Sequence, residues 1–270
     1  MEAGPQTGTW AELAAAWSAG MNARAGTVYL TGAGPGDPEL LTRRALHLLQ
    51  QADVVLHDDL VAEEIVAESR AGAKRVNVGK RCGTKKITQQ EIHALMIEHA
   101  RAGRIVVRLK SGDPLIFGRA GEEIRALTEA GVPFVVIPGV TAAFAAAAAS
   151  GFSMTDRGGA SRLVLESGHH AEERTRVTDD PHHATTLVRY MPGSDYRRTQ
   201  EGLLAAGWLP ETPVLLVSCA GQRRQRIHRT TIALLHATAP LPAPAILLIG
   251  RSIAMAPLRD DIPEIAHGQS

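Results

Sequence analysis

Residues 107–119 read VRLKSGDPLIFGR and join an apolar run to a sharply polar turn. The apolar residues 105–107 predict a buried strand, and residues 120–124 predict the opening of a helix. In an open α/β sheet, ligands bind at the carboxyl ends of the strands. A Ser-Gly-Asp-Pro turn there lets a ligand approach the backbone closely. We therefore predict a ligand-binding loop, with an ordinary strand–helix connection as the alternative.

The composition is typical of a soluble globular protein. The chain has 270 residues, of which 44% are hydrophobic and 21% are charged. Its net charge of +1 gives no indication of nucleic acid or of a membrane surface as a partner. This length is enough for one large domain or two smaller ones.

Compartment signals favour a cytoplasmic enzyme. Cys82 and Cys219 are far apart and lack metal-ligand spacing, which predicts a reducing environment without a disulfide framework. The N-terminus lacks the basic and apolar regions of a signal peptide. Residues 142–149 form the most apolar run, which is too short to cross a bilayer.

A glycine-rich loop, GAGPGDP at residues 32–38, follows the first predicted strand at residues 27–31. It resembles a dinucleotide fingerprint, but Asp37 occupies the position of the third glycine, which close helix–strand packing requires. No Gly-Lys-Ser/Thr ending is present, so the loop is not a P-loop. We expect it to present backbone groups to a ligand other than a pyrophosphate, before a helix at residues 39–51.

Other predicted strands also end in polar residues. His57, Asp58 and Asp59 follow the second strand, where two carboxylates are either solvated charges or catalytic groups. A basic cluster at residues 80–86 follows the third strand, as a solvated loop or a clamp for an anionic substrate. Thr141 is a candidate N-cap of the alanine-rich helix at residues 142–149.

Strands and helices alternate up to about residue 140, which predicts a parallel sheet covered by helices. Strands then become more frequent, and we place a second α/β domain there. The histidine pairs at residues 169–170 and 182–183 could bind metal, but no carboxylate or cysteine spacing completes a site, which favours a surface loop. The predicted limits are an N-terminal extension at 1–26, domains at 27–140 and 141–258, and a tail at 259–270.

Several loops together resemble one family, the tetrapyrrole methyltransferases. Each motif alone is modest, but their order and spacing are specific. The matching segments are VYLTGAGPGDPELLT at 28–42, ADVVLHD at 52–58, VGKR at 78–81, QQEI at 89–92, VRLKSGDP at 107–114 with FGR at 117–119, and PGVTAA at 138–143.

The resemblance implies a two-domain α/β homodimer, with a parallel sheet in the N-terminal domain and a mixed sheet in the C-terminal domain. It implies S-adenosylmethionine in a cleft between the domains, S-adenosylhomocysteine as the product, and no metal. The family's proton acceptor falls on Asp58, its proton donor on Lys80 and an active-site arginine on Arg108. Its cofactor contacts fall on Pro35, Ser111, Gly112, Asp113, Ile116, Thr141, Ala142, Met191 and Ala220.

The implied reaction places methyl groups on carbons 2 and 7 of uroporphyrinogen III and gives precorrin-2. An electron-rich pyrrole carbon can attack a sulfonium methyl directly, so in-line positioning supplies much of the acceleration. A carboxylate such as Asp58 can then take the proton that is lost. The eight carboxylates of the substrate suit a cleft lined by cationic side chains. The candidates are Arg108, Lys80, Arg81, Lys85 and Arg119.

Three motifs depart from the family pattern. Ser111 replaces the first glycine of a Gly-Gly-Asp-Pro loop. His57-Asp58-Asp59 stands where the family usually has Tyr-Asp-Arg or a close variant, and Asp156 replaces the histidine of a Thr-His-Arg triplet. Asp59 and Asp156 add negative charge where a polyanion is expected. A methyltransferase that acts on a later precorrin or another acceptor, and a non-catalytic tetrapyrrole- or cofactor-binding module, are therefore the alternatives.

Overall fold

The computed structural model describes residues 22–79, 87–168 and 184–255. These residues divide into two compact units. The first comprises the described residues up to Ala145 together with residues 219–225, and the second comprises residues 146–218 and those from Arg226 onward. The predicted histidine loop at 169–183 lies outside the described residues.

The first unit contains a five-stranded, all-parallel sheet in the order β3-β2-β4-β1-β5. The predicted parallel sheet is thus confirmed. Its strands are β1 (Val28–Gly32), β2 (Val54–His57), β3 (Lys74–Asn77), β4 (Val106–Lys110) and β5 (Phe134–Ile137).

Both faces of this sheet are covered by helices. On one face, Tyr29, Val55 and Val107 belong to a buried apolar cluster with residues of α1 (Arg43–Leu49) and α2 (Glu63–Ala67). On the other face, Val28, Val54 and Val106 share a second cluster with α3 (Gln89–Arg101) and α4 (Ala120–Glu129). The split follows from the strand geometry, because successive side chains point to opposite faces.

The helix predicted at residues 39–51 begins later than expected. A 3₁₀ turn occupies Pro38–Leu40, and α1 begins only at Arg43. Thr42 interrupts the helix because its backbone is extended and its side chain accepts a hydrogen bond from the Ala45 N–H. Thr42 is therefore the N-cap of α1, a position that threonine favours.

The second unit contains a five-stranded sheet in the order β6-β7-β10-β8-β9. The sheet is mixed, as the resemblance implies. Strands β6 (Arg162–Ser167) and β7 (Thr185–Tyr190) are parallel. The remaining pairings, with β8 (Pro213–Ser218), β9 (Arg226–Thr231) and β10 (Ala245–Ile249), are antiparallel.

One face of the mixed sheet packs on α6 (Tyr196–Ala205) and on a 3₁₀ segment at Ile232–Ala237, in a cluster that includes Leu203, Trp208 and Leu235. A further helix, α5 (Ala142–Ala149), follows the loop after β5. Within the described ranges, no helix has both the length and the apolar composition needed to cross a membrane.

Candidate active site

Three loops at the carboxyl end of the parallel sheet pack backbone against backbone. They follow β1, β4 and β5, which are neighbours in the sheet. A Cβ atom on Gly32 would lie 2.5 Å from the Gly139 nitrogen and 2.7 Å from the Gly112 carbonyl oxygen. A Cβ on Gly139 would overlap that same oxygen. Glycine at these positions is therefore required by the close approach of the three loops.

Two further contacts fix the loop after β4. Gly34 and Gly112 exchange backbone hydrogen bonds of 3.1 and 2.7 Å. The Asp113 carboxylate accepts from the Gly139 N–H at 3.0 Å and from the Leu115 N–H at 2.8 Å. Asp113 thus shapes the loop through its side chain, and Ile116 is held by its N–H donating to the Asp113 carbonyl at 3.2 Å.

Gly112 is buried, but its surroundings leave room for a side-chain atom. A Cβ there would meet nothing nearer than the Ala142 nitrogen and the Thr141 Cα, both at 3.8 Å. Three residues predicted to contact a cofactor, Gly112, Thr141 and Ala142, therefore lie together around a space that a side chain would occupy.

Residues 219–225 pack against the glycine loop after β1. The Gln222 side-chain amide donates to the Pro35 carbonyl at 3.1 Å, and a Cβ on Gly221 would lie 2.9 Å from the Pro35 ring. This packing brings Ala220 close to Pro35, as the prediction that both contact one cofactor requires. Met191 belongs to the second unit, where it has a positive φ of 50° and is 41% exposed.

A buried charged cluster lies beside these loops and contains Asp58, Arg108, Lys110 and Glu123. Arg108 and Lys110 are two residues apart on β4, so both side chains point to the face covered by α4. The Arg108 Nη2 donates to the Asp58 carboxylate at 2.5 Å, and its Nε donates to Glu123 Oε1 at 3.0 Å. The Lys110 ammonium donates to the same Glu123 oxygen at 3.0 Å.

The cluster perturbs its two cations in opposite directions. Burial lowers the pKa of Arg108, but the charges of Asp58 and Glu123 and their hydrogen bonds outweigh it, so the net pKa is raised. For Lys110, burial and the neighbouring Arg108 charge lower the pKa, and Glu123 offsets them only in part. Arg108 is thus a fixed cation within the cluster, whereas Lys110 holds its proton less firmly than an ordinary lysine.

Comparison with known proteins identifies the family of this chain. A family model described as tetrapyrrole (corrin/porphyrin) methylases matches residues 27–235. The chain belongs to this family. The family and the two-domain fold predicted from the motifs are therefore confirmed.

Three relatives illustrate the sequence identity and the coverage of these matches. A uroporphyrinogen-III C-methyltransferase of Paracoccus denitrificans (strain Pd 1222) is 46% identical over 86% of this chain and 83% of its own length. A siroheme synthase of Psychrobacter sp. (strain PRwf-1) is 42% identical over 88% of this chain and 49% of its own length, so this chain spans about half of that protein. A crystal structure of uroporphyrin-III C-methyltransferase from Thermus thermophilus, complexed with S-adenosyl homocysteine, is 38% identical, with a TM-score of 0.74 over 84% of this chain and 99% of that one.

The fold is shared with a methyltransferase that has a different acceptor. The crystal structure of a cobalt precorrin-4 methyltransferase is 30% identical and has the same TM-score of 0.74, over 84% of this chain and 96% of that one. The fold of the tetrapyrrole methylases therefore does not by itself select the acceptor.

In this family member, Asp58 is accessible and Arg108 is not. The Asp58 side chain is 31% exposed, whereas that of Arg108 is 2% exposed. The sequence predicts Arg108 among the residues that line the substrate cleft, but the structure places it beneath Asp58. Alternation along β4, whose residues are all buried, accounts for this position.

Of the other cations predicted to line the substrate cleft, Arg119 is among the described residues. Lys80, Arg81 and Lys85 lie outside the described residues. Arg119 is exposed and forms a two-point ion pair with Glu122, with both hydrogen bonds at 2.7 Å. That pairing raises the pKa of Arg119 and lowers the pKa of Glu122.

The acidic departures from the family pattern both have protein partners. Asp59 accepts a hydrogen bond from the Asn77 side chain at 3.2 Å. Asp156 accepts from the Gly158 N–H at 2.9 Å and pairs through its backbone with Ala160, which closes a tight turn. Asp156 thus stabilises a local turn in this tetrapyrrole methylase.

Sequence reasoning missed Glu123 and the burial of Lys110. Glu123 was not separable from Glu122, because both are acidic residues in the first turn of a helix. The available signal was the pair of cations at alternate positions of an apolar strand. Two cations on a buried face require a buried anion, since an uncompensated charge there is costly.

Proposed function

We propose that this chain transfers methyl groups from S-adenosylmethionine to carbons 2 and 7 of uroporphyrinogen III. The product is precorrin-2, formed through precorrin-1, for tetrapyrrole biosynthesis of the sirohaem or cobalamin type. The observation that carries the proposal is the partly exposed Asp58 carboxylate, held by Arg108 at 2.5 Å beside the strand-end loops. The 46% identity to a uroporphyrinogen-III C-methyltransferase supports the choice of acceptor.

The strand-end loops suit S-adenosylmethionine. A Cβ built on Gly112 would come no nearer than 3.8 Å to Thr141 and Ala142, so the backbone around this glycine is not crowded. The exposed apolar Leu115 lies in the same loop. When bound, the cofactor supplies an electrophilic methyl group. We further propose that Pro35, Ser111, Asp113, Ile116, Met191 and Ala220 complete its contacts.

The role of the charged residues follows from the chemistry of the acceptor. Attack by the pyrrole carbon leaves positive charge on the macrocycle, and loss of a proton restores neutrality. Asp58 would take that proton, and its negative charge would stabilise the cation before the proton leaves. Arg108 keeps the carboxylate oriented, since its own side chain is fixed by buried partners. Lys80 remains the proposed proton donor.

The direct test is an anaerobic assay of the purified full chain with S-adenosylmethionine and enzymatically generated uroporphyrinogen III. The expected product carries two added methyl groups by mass and has the absorption spectrum of a dimethylated macrocycle after oxidation. Binding of S-adenosylhomocysteine, measured in parallel by calorimetry, checks that the protein is competent. Intact binding without any methylated product would contradict the proposal.

A second candidate acceptor is a later precorrin. The shared fold of the cobalt precorrin-4 methyltransferase supports it. Supplying the dimethylated product together with fresh cofactor separates the two activities, because a third methyl group would appear only if a precorrin is the true acceptor.

We also infer that the chain forms a homodimer in the cytoplasm, on the strength of the family resemblance. Analytical ultracentrifugation should then give a mass of twice the 28.7 kDa chain. A single species at the chain mass would contradict the dimer without affecting the proposed reaction.

A further inference from the structure

Glu123 is a buried carboxylate that the proposed chemistry does not use. It is 0% exposed and lies in the first turn of α4. Its Oε1 accepts hydrogen bonds from three side chains: Arg108 at 3.0 Å, Lys110 at 3.0 Å and Gln89 at 3.3 Å. Its Oε2 is buried without a hydrogen-bond partner among the described residues. Burying a carboxylate costs free energy unless it is paired and hydrogen-bonded, so Glu123 depends on its two cationic partners, and they on it.

The contacts of Arg108 show that the Glu123 carboxylate holds its guanidinium in place. Its Nε donates to Glu123, its Nη2 donates to Asp58, and its Nη1 lies 3.4 Å from the Leu56 carbonyl and 3.3 Å from the Leu109 carbonyl. The donors of a guanidinium are in fixed relative directions. Holding Nε against Glu123 therefore sets the direction in which Nη2 meets Asp58.

The charges of the cluster also balance. Two carboxylates, Asp58 and Glu123, face two cations, Arg108 and Lys110. Without Glu123, both buried cations would depend on Asp58 alone. Arg108 would then be free to turn towards other acceptors, and Lys110 would lose its only carboxylate contact in the described part of the chain.

We propose that Glu123 is a positioning residue that orients Asp58 through Arg108. This inference rests on the proposed methyl transfer, in which Asp58 accepts the proton. Glu123 is on a different element from Asp58, and Arg108 forms an ion pair with each of them. We therefore expect replacement of Glu123 to change kcat and the orientation of the Arg108 side chain, and to change the affinity for ligands little.

The kinetic test is Glu123→Gln, which keeps the size of the side chain and removes its charge. We expect kcat to fall about tenfold or more, while the KM for uroporphyrinogen III and the Kd for S-adenosylhomocysteine stay within about twofold. In the Asp58→Asn background the same substitution should cause no further loss, because residues that act as a unit are not additive. An unchanged kcat, or losses that multiply in the double variant, would overturn the proposal.

The matched control is Glu122→Gln. Glu122 is the adjacent residue, carries the same charge and pairs with the exposed Arg119. Its substitution should leave kcat within about twofold of the unmodified protein, since exposed ion pairs contribute little. A loss equal to that of Glu123→Gln would show a general effect of charge on this helix and would overturn the positioning role.

A second variant covers the case in which Glu123→Gln fails to fold. The double substitution Glu123→Met/Lys110→Met removes one anion and one cation together, and such replacements of buried ion pairs are often neutral or stabilising. Among the described residues, it leaves Arg108 with Asp58 as its one carboxylate partner. We expect this variant to fold and to lose turnover as Glu123→Gln does, and a folded variant with unchanged kcat would contradict the proposal.

One readout does not depend on turnover, so failure of the inference can be told apart from failure of the proposed function. In protein labelled with ¹⁵N-arginine, the Arg108 Nε–H should exchange slowly, because it is buried and hydrogen-bonded. Its protection should disappear in Glu123→Met/Lys110→Met, which leaves no acceptor for Nε at position 123, and persist in Glu122→Gln. Persistence in both variants overturns the positioning role, whereas an inactive unmodified protein with this pattern contradicts only the proposed reaction.

Discussion

Asp58 combines two properties that a proton acceptor needs. Its carboxylate is accessible, and it is oriented by Arg108, a buried cation that stays charged at any working pH. Its backbone is fixed as well, since its N–H donates to the Leu109 carbonyl at 3.2 Å and its carbonyl accepts from the Val61 N–H at 3.2 Å. An accessible carboxylate on a backbone that is held in place can meet the proton of a bound substrate in a constant geometry.

Asp58→Asn should therefore separate turnover from binding. The amide keeps an acceptor oxygen for Arg108 but cannot take a proton, so we expect kcat to fall by about 10²–10⁴, the usual contribution of a general base. The affinity for S-adenosylhomocysteine should stay within about twofold of the unmodified protein. Single-turnover kinetics and calorimetry measure the two quantities. An equal loss in both would assign a structural role to Asp58.

Ser111 is the second residue whose role can be tested alone. In this loop the positive φ values fall on Gly112, at 68°, and on Phe117 and Arg119, and Ser111 is not among the residues with positive φ. The family's glycine at position 111 is thus not needed here for backbone conformation. If the proposed cofactor contact of Ser111 is made by its backbone, which glycine keeps, Ser111→Gly should leave cofactor affinity unchanged. It should cost about 0.5–1 kcal/mol in stability, through the greater freedom of the unfolded chain. A marked change in the Kd for S-adenosylhomocysteine would indicate that the hydroxyl contacts the cofactor.

At the scale of elements, the candidate site depends on three strand ends being pressed together. Strands β4 and β5 flank β1, and the loops after all three meet at Gly32, Gly112 and Gly139. The neighbours of each glycine are backbone atoms, which cannot move aside as a flexible side chain can. The site is therefore coupled to the packing of the sheet end as a whole.

Gly139→Ala should disrupt this packing. The new Cβ would overlap the Gly112 carbonyl oxygen and lie 2.9 Å from the Gly32 Cα. We expect a lower Tm together with a large loss of S-adenosylhomocysteine affinity, measured by thermal unfolding and calorimetry. Gly121→Ala is the control, because a Cβ on this helical residue meets nothing within 4 Å. It should leave Tm unchanged or slightly raised, and a similar loss in both variants would contradict the packing argument.

At the scale of the whole molecule, His99 links stability to pH. It is 4% exposed in α3, and its Nε2 is buried without a hydrogen-bond partner among the described residues. Burial lowers its pKa, followed by the positive charges of Lys74 and Arg104. The unfolded chain, with an ordinary histidine pKa of about 6.5, therefore binds a proton at a higher pH than the folded protein does.

Stability should accordingly fall as the pH drops below about 6.5, and go on falling towards the lowered pKa of folded His99. His99→Gln removes this titration, so its Tm should decline less than that of the unmodified protein between about pH 6.5 and 5. Thermal unfolding across this range measures the difference, with the exposed His236→Gln as the control. Parallel Tm profiles for His99→Gln and the unmodified protein would contradict the assignment.

The sequence alone determined the parallel sheet, the mixed sheet and the family, because these depend on local periodicity and on ordered motifs. It also placed Asp58 and the residue 110–114 turn at strand ends. The domain limits and the individual cofactor contacts remain predictions. The strand order β3-β2-β4-β1-β5 was decided by tertiary structure, since the pairing of distant strands is not encoded in the pattern of any one of them.

Tertiary structure also decided the environment of each charge. The sequence predicted Arg108 in the substrate cleft and Lys110 in a polar turn, yet both are buried against Glu123, which is 13 residues beyond Lys110. Likewise, residues 219–225 join the first unit although the strands on either side of them belong to the second. Residue type fixes a charge, but its partner and its exposure depend on which elements the fold brings together. The contacts within the charged cluster could therefore not be predicted from the sequence.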